Sequence, residues 1–262
     1  MGEGLDQDLA QDPVALLRWY VDAGVDECIG EVPVDRFKPA PQPVRSVAAP
    51  SSPQQVAAPA AGHGAHAADG ATSVAELKAM VEAFDGCGLK QFSSKTVFAD
   101  GNPSARVMFV GEAPGADEDR QGLPFVGISG QLLDRMIESI GLTRADSAYI
   151  TNIVFWRPPG NRAPTDEEIT ACMPFVRRHI ELVNPAVLVL VGGLSTKAML
   201  STTLGVTRLR GRWHEYQTAA LAAPIPAMPL FHPAYLLRSP QQKRLAWRDL
   251  LAIRARLDQS KA

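Results

Sequence analysis

Two apolar runs that read as buried strands, Arg106-Val107-Met108-Phe109-Val110 and Met228-Pro229-Leu230-Phe231, each end in a turn rich in functional groups. The first leads into Gly111-Glu112-Ala113-Pro114-Gly115. The second leads into His232-Pro233-Ala234-Tyr235-Leu236-Leu237-Arg238. An acid and an imidazole over a hundred residues apart meet only if the fold brings two strand ends together. In open α/β sheets that place is the crevice at the carboxyl ends of the strands.

The surrounding pattern fits such a sheet. Strand-like runs at 107–110, 148–154, 186–191 and 229–232 alternate with helical patterns at 131–140, 166–182, 195–200 and 240–257. Another helix is expected over 73–83, with Ser73 as its cap and Glu76 completing a capping box. This alternation predicts a three-layer α/β/α sandwich around a central, mostly parallel four-stranded sheet.

Composition divides the rest of the chain. Residues 1–38 are acidic and include a short amphipathic helix over 9–28, begun by Asp12-Pro13. Residues 39–72 carry Pro41, Pro43, Pro50, Pro53 and Pro59 among Ala, Ser and Gly, and read as a flexible linker. His63 and His66 in that linker read as solvated side chains rather than a metal site. The folded domain is expected over 73–262.

The net charge of -2 argues against nucleic-acid binding if taken alone. Its distribution matters more. Residues 1–89 hold 5 basic and 13 acidic side chains, which leaves 21 and 15 for residues 90–262. The second part is thus a plausible polyanion binder. A modestly charged enzyme with an acidic tail gives the same count, so charge alone does not decide. No apolar run is long enough to cross a membrane, and the acidic start lacks a basic n-region, so a cytoplasmic protein is expected. Three cysteines, Cys28, Cys87 and Cys172, are too few for a disulfide framework.

Four segments end strands in this reading: 111–115, 152–162, 192–195 and 232–238. Close backbone packing is reason enough for Gly192-Gly193. Read singly, Phe125 is a core aromatic, Asn152 a strand-end cap and His232 a turn histidine. Glu112 stands where the chain must turn sharply, with Asp117-Glu118-Asp119 following. Basic residues fall in three clusters near these ends: Arg157 with Arg162; Arg208, Arg210 and Arg212; and Arg238 with Lys243 and Arg244. Each is a solvated surface charge or a phosphate contact.

Taken together, the stretch 111–133 and the His232 motif resemble the uracil-DNA glycosylase superfamily. The stretch includes Asp119-Arg120-Gln121-Gly122, Pro124-Phe125-Val126-Gly127 and Ser129-Gly130-Gln131-Leu132-Leu133. The likeness is strongest to family 4 and spans about residues 87–257. It implies a DNA repair enzyme that flips uracil from DNA and hydrolyses its N-glycosidic bond, leaving an abasic site.

The resemblance also implies roles. Glu112 and His232 are the catalytic pair: His232 faces O2 of the base, and Glu112 orients water or steadies an oxocarbenium-like state. Phe125 stacks on uracil, and Asn152 reads its polar edge. Ala113 lies beside the base, where better-known relatives carry an Asp. Ser129, Gly130, Arg157, Arg162, Arg210 and Arg238 contact DNA, and Leu237 enters the gap left by the flipped nucleotide. Leu236 either joins that wedge or covers the core. No lysine lies within the motifs, so strand cleavage through a Schiff base is disfavoured and a monofunctional enzyme is expected.

Family 4 enzymes typically hold a four-iron cluster through four cysteines. This chain matches two of those positions, with Cys87 and Cys172, and has Phe84 and Trp156 at the others. No cluster, other cofactor or metal is therefore expected, and a Phe84–Trp156 contact is expected in its place. The expected partner is uracil-containing DNA, bound by a monomer without membrane attachment. Two alternatives stay open: a glycosylase for another deaminated or mismatched base, and a non-catalytic DNA-binding or abasic-site-binding protein on the same fold.

Overall fold

The computed structural model describes residues 70–259 together with the single positions Val14 and Ala68. Apart from Val14, the expected helix over 9–28 lies outside the described residues, as do most of the expected linker, Cys28, His63 and His66.

The apolar runs become the centre of a six-stranded sheet ordered β1-β3-β2-β4-β6-β5. The strands are β1 (Ala99–Gly101), β2 (Val107–Gly111), β3 (Tyr149–Asn152), β4 (Val187–Val191), β5 (His214–Tyr216) and β6 (Ile225–Leu230). The inner four pair in parallel. Every residue of β2, β3 and β4 is buried, as an inner parallel strand covered on both faces requires. The expected four-stranded sheet is thus extended at each edge by a three-residue antiparallel strand. Such strands are too short to show a period in sequence.

Alternate side chains feed two cores. Met108, Val110, Leu188 and Leu190 point into one, beneath α1 (Val74–Ala83), α5 (Asp166–Val183) and α6 (Gly193–Leu200). Val107, Phe109, Val187 and Val189 point into the other, beneath α3 (Ile128–Glu138) and α9 (Lys243–Gln259). The shorter helices are α2 (Ala116–Gln121), α4 (Arg144–Ser147), α7 (Val206–Leu209) and α8 (Pro233–Arg238). Helices on both faces of a mostly parallel sheet make the α/β/α sandwich. Among the described residues, no helix is long and apolar enough to cross a membrane.

Helix starts follow local chemistry. Thr165 and Glu168 form a reciprocal capping box at α5. At α1, Ser73 Oγ accepts from the Glu76 amide as expected. The Glu76 carboxylate instead accepts from Thr72 N and Oγ1, both at 2.8 Å. Packing also begins upstream of Ser73. Ala68 and Ala71 are buried, and Arg178 donates to the Ala71 carbonyl from Nε and Nη2 at 2.9 and 2.6 Å.

One buried titratable group gives this core a pH dependence. His179 is fully buried, with the Tyr149 hydroxyl 2.9 Å from Nε2 and the ring stacked on Phe98. Burial pushes its pKa down to about 3. An unfolded histidine titrates near about 6.5, so below that pH the unfolded chain takes up a proton that the folded chain refuses. Stability therefore falls as pH drops from about 6.5 towards about 3, by up to about 1.4 kcal/mol per pH unit from this group. His179→Gln should flatten the acid limb of a denaturation-versus-pH series. An unchanged slope would contradict this source.

Candidate active site

The carboxyl ends of β2, β3 and β6 meet at one cavity of about 480 Å³. Its lining includes Glu112, Ala113, Glu118, Phe125, Ser129, Asn152, Asn161, Arg162, His232 and Arg238. The parallel register sets Gly111 beside Asn152 at the ends of β2 and β3. Pairing continues past the strands: Ile153 N donates to Gly111 O and Val154 N to Glu112 O. The backbone of the acid is therefore fixed by the sheet.

Glu112 reaches towards the start of α6, where Oε1 accepts from Leu194 N at 2.9 Å. A carboxylate suits a helix N-terminus, whose first amides lack partners within the helix. One oxygen anchored there leaves the other for the cavity.

Asn152 is 2% exposed, and its Oδ1 has no hydrogen-bond partner. A buried acceptor without a donor costs about 1–3 kcal/mol. The Phe125 ring lies against the same corner, because a Cβ at Gly111 would run into both Asn152 Oδ1 and that ring. Phe125 is itself buried, with its ring centroid 5.6 Å from that of His232.

His232 is the N-cap of α8, and its Nδ1 accepts from Ala234 N at 3.2 Å. That bond puts the proton of a neutral ring on Nε2. Burial lowers the His232 pKa below its ordinary value; nearby Glu112 opposes the shift and Arg238 adds to it. The segment after His232, which reads as a loop in sequence, is helical because Pro233 occupies the first turn. Leu236 is 1% exposed and covers the core, whereas Leu237 is 41% exposed.

The basic residues separate. Arg238 and Arg162 line the cavity, with Arg162 also held by Glu168 at 2.6 Å. Arg157 lies beside the cavity rim, its Nε donating to Asn161 Oδ1. Arg210 is built into the fold instead of facing outwards. It grips both Asp249 oxygens at 2.8 and 2.6 Å, donates to Leu245 O, and lies 5.3 Å over the Phe231 ring. Breaking such a pair would leave a buried charge unmatched, so Arg210 has a structural task in the fold. Gly130 is buried against the Phe125 carbonyl and is absent from the cavity lining. The Gly127 amide, at the start of α3, is bonded to Glu118.

Residues 98–251 match the model of the Uracil DNA glycosylase superfamily. The chain belongs to that superfamily. A Type-4 uracil-DNA glycosylase of Sulfurisphaera tokodaii is 40% identical over 187 residues, which cover 70% of this chain and 84% of that protein. Counterparts in Saccharolobus solfataricus and Thermotoga maritima are 38% and 37% identical. They cover 65% and 63% of this chain, and 80% and 84% of their own lengths.

The residues at the cluster positions do not suit a four-thiolate group. Cys87 and Cys172 lie buried side by side, and the Cys87 sulfur together with burial holds the Cys172 thiol well above its ordinary pKa. Phe84 packs at 6.5 Å from Trp156 and 4.9 Å from Phe175. Trp156 is 1% exposed, and its Nε1 donates to Thr96 Oγ1 at 3.1 Å. Aromatic rings thus fill space beside the two thiols, and an indole does not ligate iron.

Sequence reading passed over Glu118 and Asn161 as cavity residues. Glu118 stands in a run of three acids with different tasks: Asp117 pairs with Arg120, and Asp119 accepts from the amides of Ser94 and Lys95. Nothing in their order marks the one that faces the cavity.

The His232 environment is directly measurable. Its ring should titrate below about 6.5 by NMR, with the neutral proton on Nε2. A midpoint at or above that value, or the opposite tautomer, would contradict the hydrogen bonding and burial described.

Proposed function

We propose that this chain is a monofunctional uracil-DNA glycosylase of DNA repair that works without an iron–sulfur cluster. The observation that carries the reading is the unpartnered Asn152 Oδ1 beside the Phe125 ring. Uracil offers N3–H to that oxygen and O4 to the amide nitrogen while its face rests on Phe125. Cytosine presents an acceptor where N3–H would be and leaves the buried oxygen unsatisfied. Ala113, also in the lining, leaves room beside the base. The cavity is ample for an extruded nucleotide.

The glycosidic bond breaks with its electron pair moving into the base. The neutral His232 donates from Nε2 towards O2, where negative charge develops. The sugar is left oxocarbenium-like, and Glu112 stabilises that cation and orients water towards it. A fixed donor and a fixed carboxylate act where charge appears in the transition state, so they speed the reaction more than they tighten binding. The cavity lining contains no lysine, which supports hydrolysis over a Schiff base. Arg162, Arg238 and Ser129 in the lining, and Arg157 bonded to the lining residue Asn161, are contacts for the DNA backbone, and Leu237 is exposed to fill the vacated place in the stack. A monomer with this cavity suffices for the reaction, and its DNA substrate and thiol pair suit the cytoplasm.

Glu112→Ala and His232→Ala should each lower the single-turnover rate of uracil release by about 100-fold or more, with DNA binding largely kept. Near-parental rates in both would remove them from the chemistry. The purified protein should carry no stoichiometric iron, and Cys87→Ser with Cys172→Ser should retain activity with at most a packing loss. Stoichiometric iron, or activity lost together with a cluster, would restore the cluster-bearing reading.

A further inference from the structure

Phe125 has a backbone conformation that aromatic residues rarely adopt. Its φ is +54°, in the left-handed region, where a Cβ is crowded by the backbone. Such a residue persists only if its surroundings hold it there. The corner it occupies runs from Pro124 to Gly127, between α2 and α3, and Phe125 itself belongs to no helix or strand.

Two side chains supply them instead. Arg144, the first residue of α4, donates from Nη1 to Pro124 O at 2.9 Å and from Nη2 to Phe125 O at 2.6 Å. The same guanidinium is held by Asp134 at 2.8 Å through Nε and by Asp100 at 3.0 Å through Nη1. Its side chain is 18% exposed. From the other side, Glu118 Oε1 accepts from Val126 N and Gly127 N, both at 2.9 Å. The approach of α3 completes the enclosure, since a Cβ at Gly130 would overlap the Phe125 carbonyl.

We propose that Arg144 is a positioning residue for base recognition. It locks the Phe125 backbone in the left-handed conformation, so that the ring is set against Asn152 and His232 before a base arrives. Arg144 is absent from the cavity lining and acts only through Phe125. The planar guanidinium matters because it spans two carbonyls and two carboxylates at once, and a lysine ammonium lacks that fork. The inference rests on the proposed role of Phe125 as the stacking surface.

The test is a double-mutant cycle in the full chain, using single-turnover uracil release and thermal melting. Phe125→Ala should slow release, and Arg144→Ala should slow it by a comparable factor, roughly 10- to 100-fold. The double variant should be no slower than Phe125→Ala alone, because the second change has nothing left to position. Arg144→Lys should not restore the rate even where melting returns towards that of the parent. If Arg144→Ala does not fold, Arg144→Lys takes its place in the cycle. A parental rate in the Arg144 variant beside a slow Phe125→Ala would overturn the proposal, as would losses that multiply in the double variant. A parental rate in Phe125→Ala would instead remove the stacking role on which the proposal stands.

Discussion

The site depends on a side chain that is missing. Gly111 ends the central strand β2, and any Cβ there would collide with Asn152 and Phe125. Its bareness lets an amide from β3 and a ring from a distant corner meet over one strand end. Parallel pairing of β2 and β3 supplies the alignment, and the ladder continues one step further to fix Glu112. The residues around this corner are thus fixed to the central strands of the sheet, where β2, β3 and β4 are wholly buried. A site held on such elements gives up little order when substrate binds.

Two groups of opposite character line the cavity. A carboxylate accepts from the Leu194 amide at the start of α6, and a buried histidine keeps its donor hydrogen on Nε2. A bond that separates into a cationic sugar and an anionic base needs a negative group near the first and a donor near the second. Each group is anchored by a backbone amide rather than by the other side chain. Neither must reorganise as charge develops.

Much of the fold was legible because its strongest signals are long or chemically unambiguous. The four inner strands are apolar runs, and α5 opens with a complete capping box. Three-residue edge strands carry no period to read. The structural task of Arg210 does not show in sequence, because a basic cluster does not reveal which member has a buried partner; Asp249 lies 39 residues further on. Arg144 was invisible for a similar reason. Two of its bonds go to backbone carbonyls, which every residue possesses, and two go to acids on separate elements. Asn152 and His232 stood out only through their family motifs, since alone each has an ordinary structural use. The upstream packing of Ala68 and Ala71 was hidden by composition, because buried alanines look the same as linker alanines.

Base release from otherwise identical oligonucleotides containing uracil or cytosine tests the central claim most directly. A cavity whose buried acceptor awaits N3–H should release uracil and leave cytosine in place. Release of cytosine at the rate of uracil, or no release of uracil, would contradict the account.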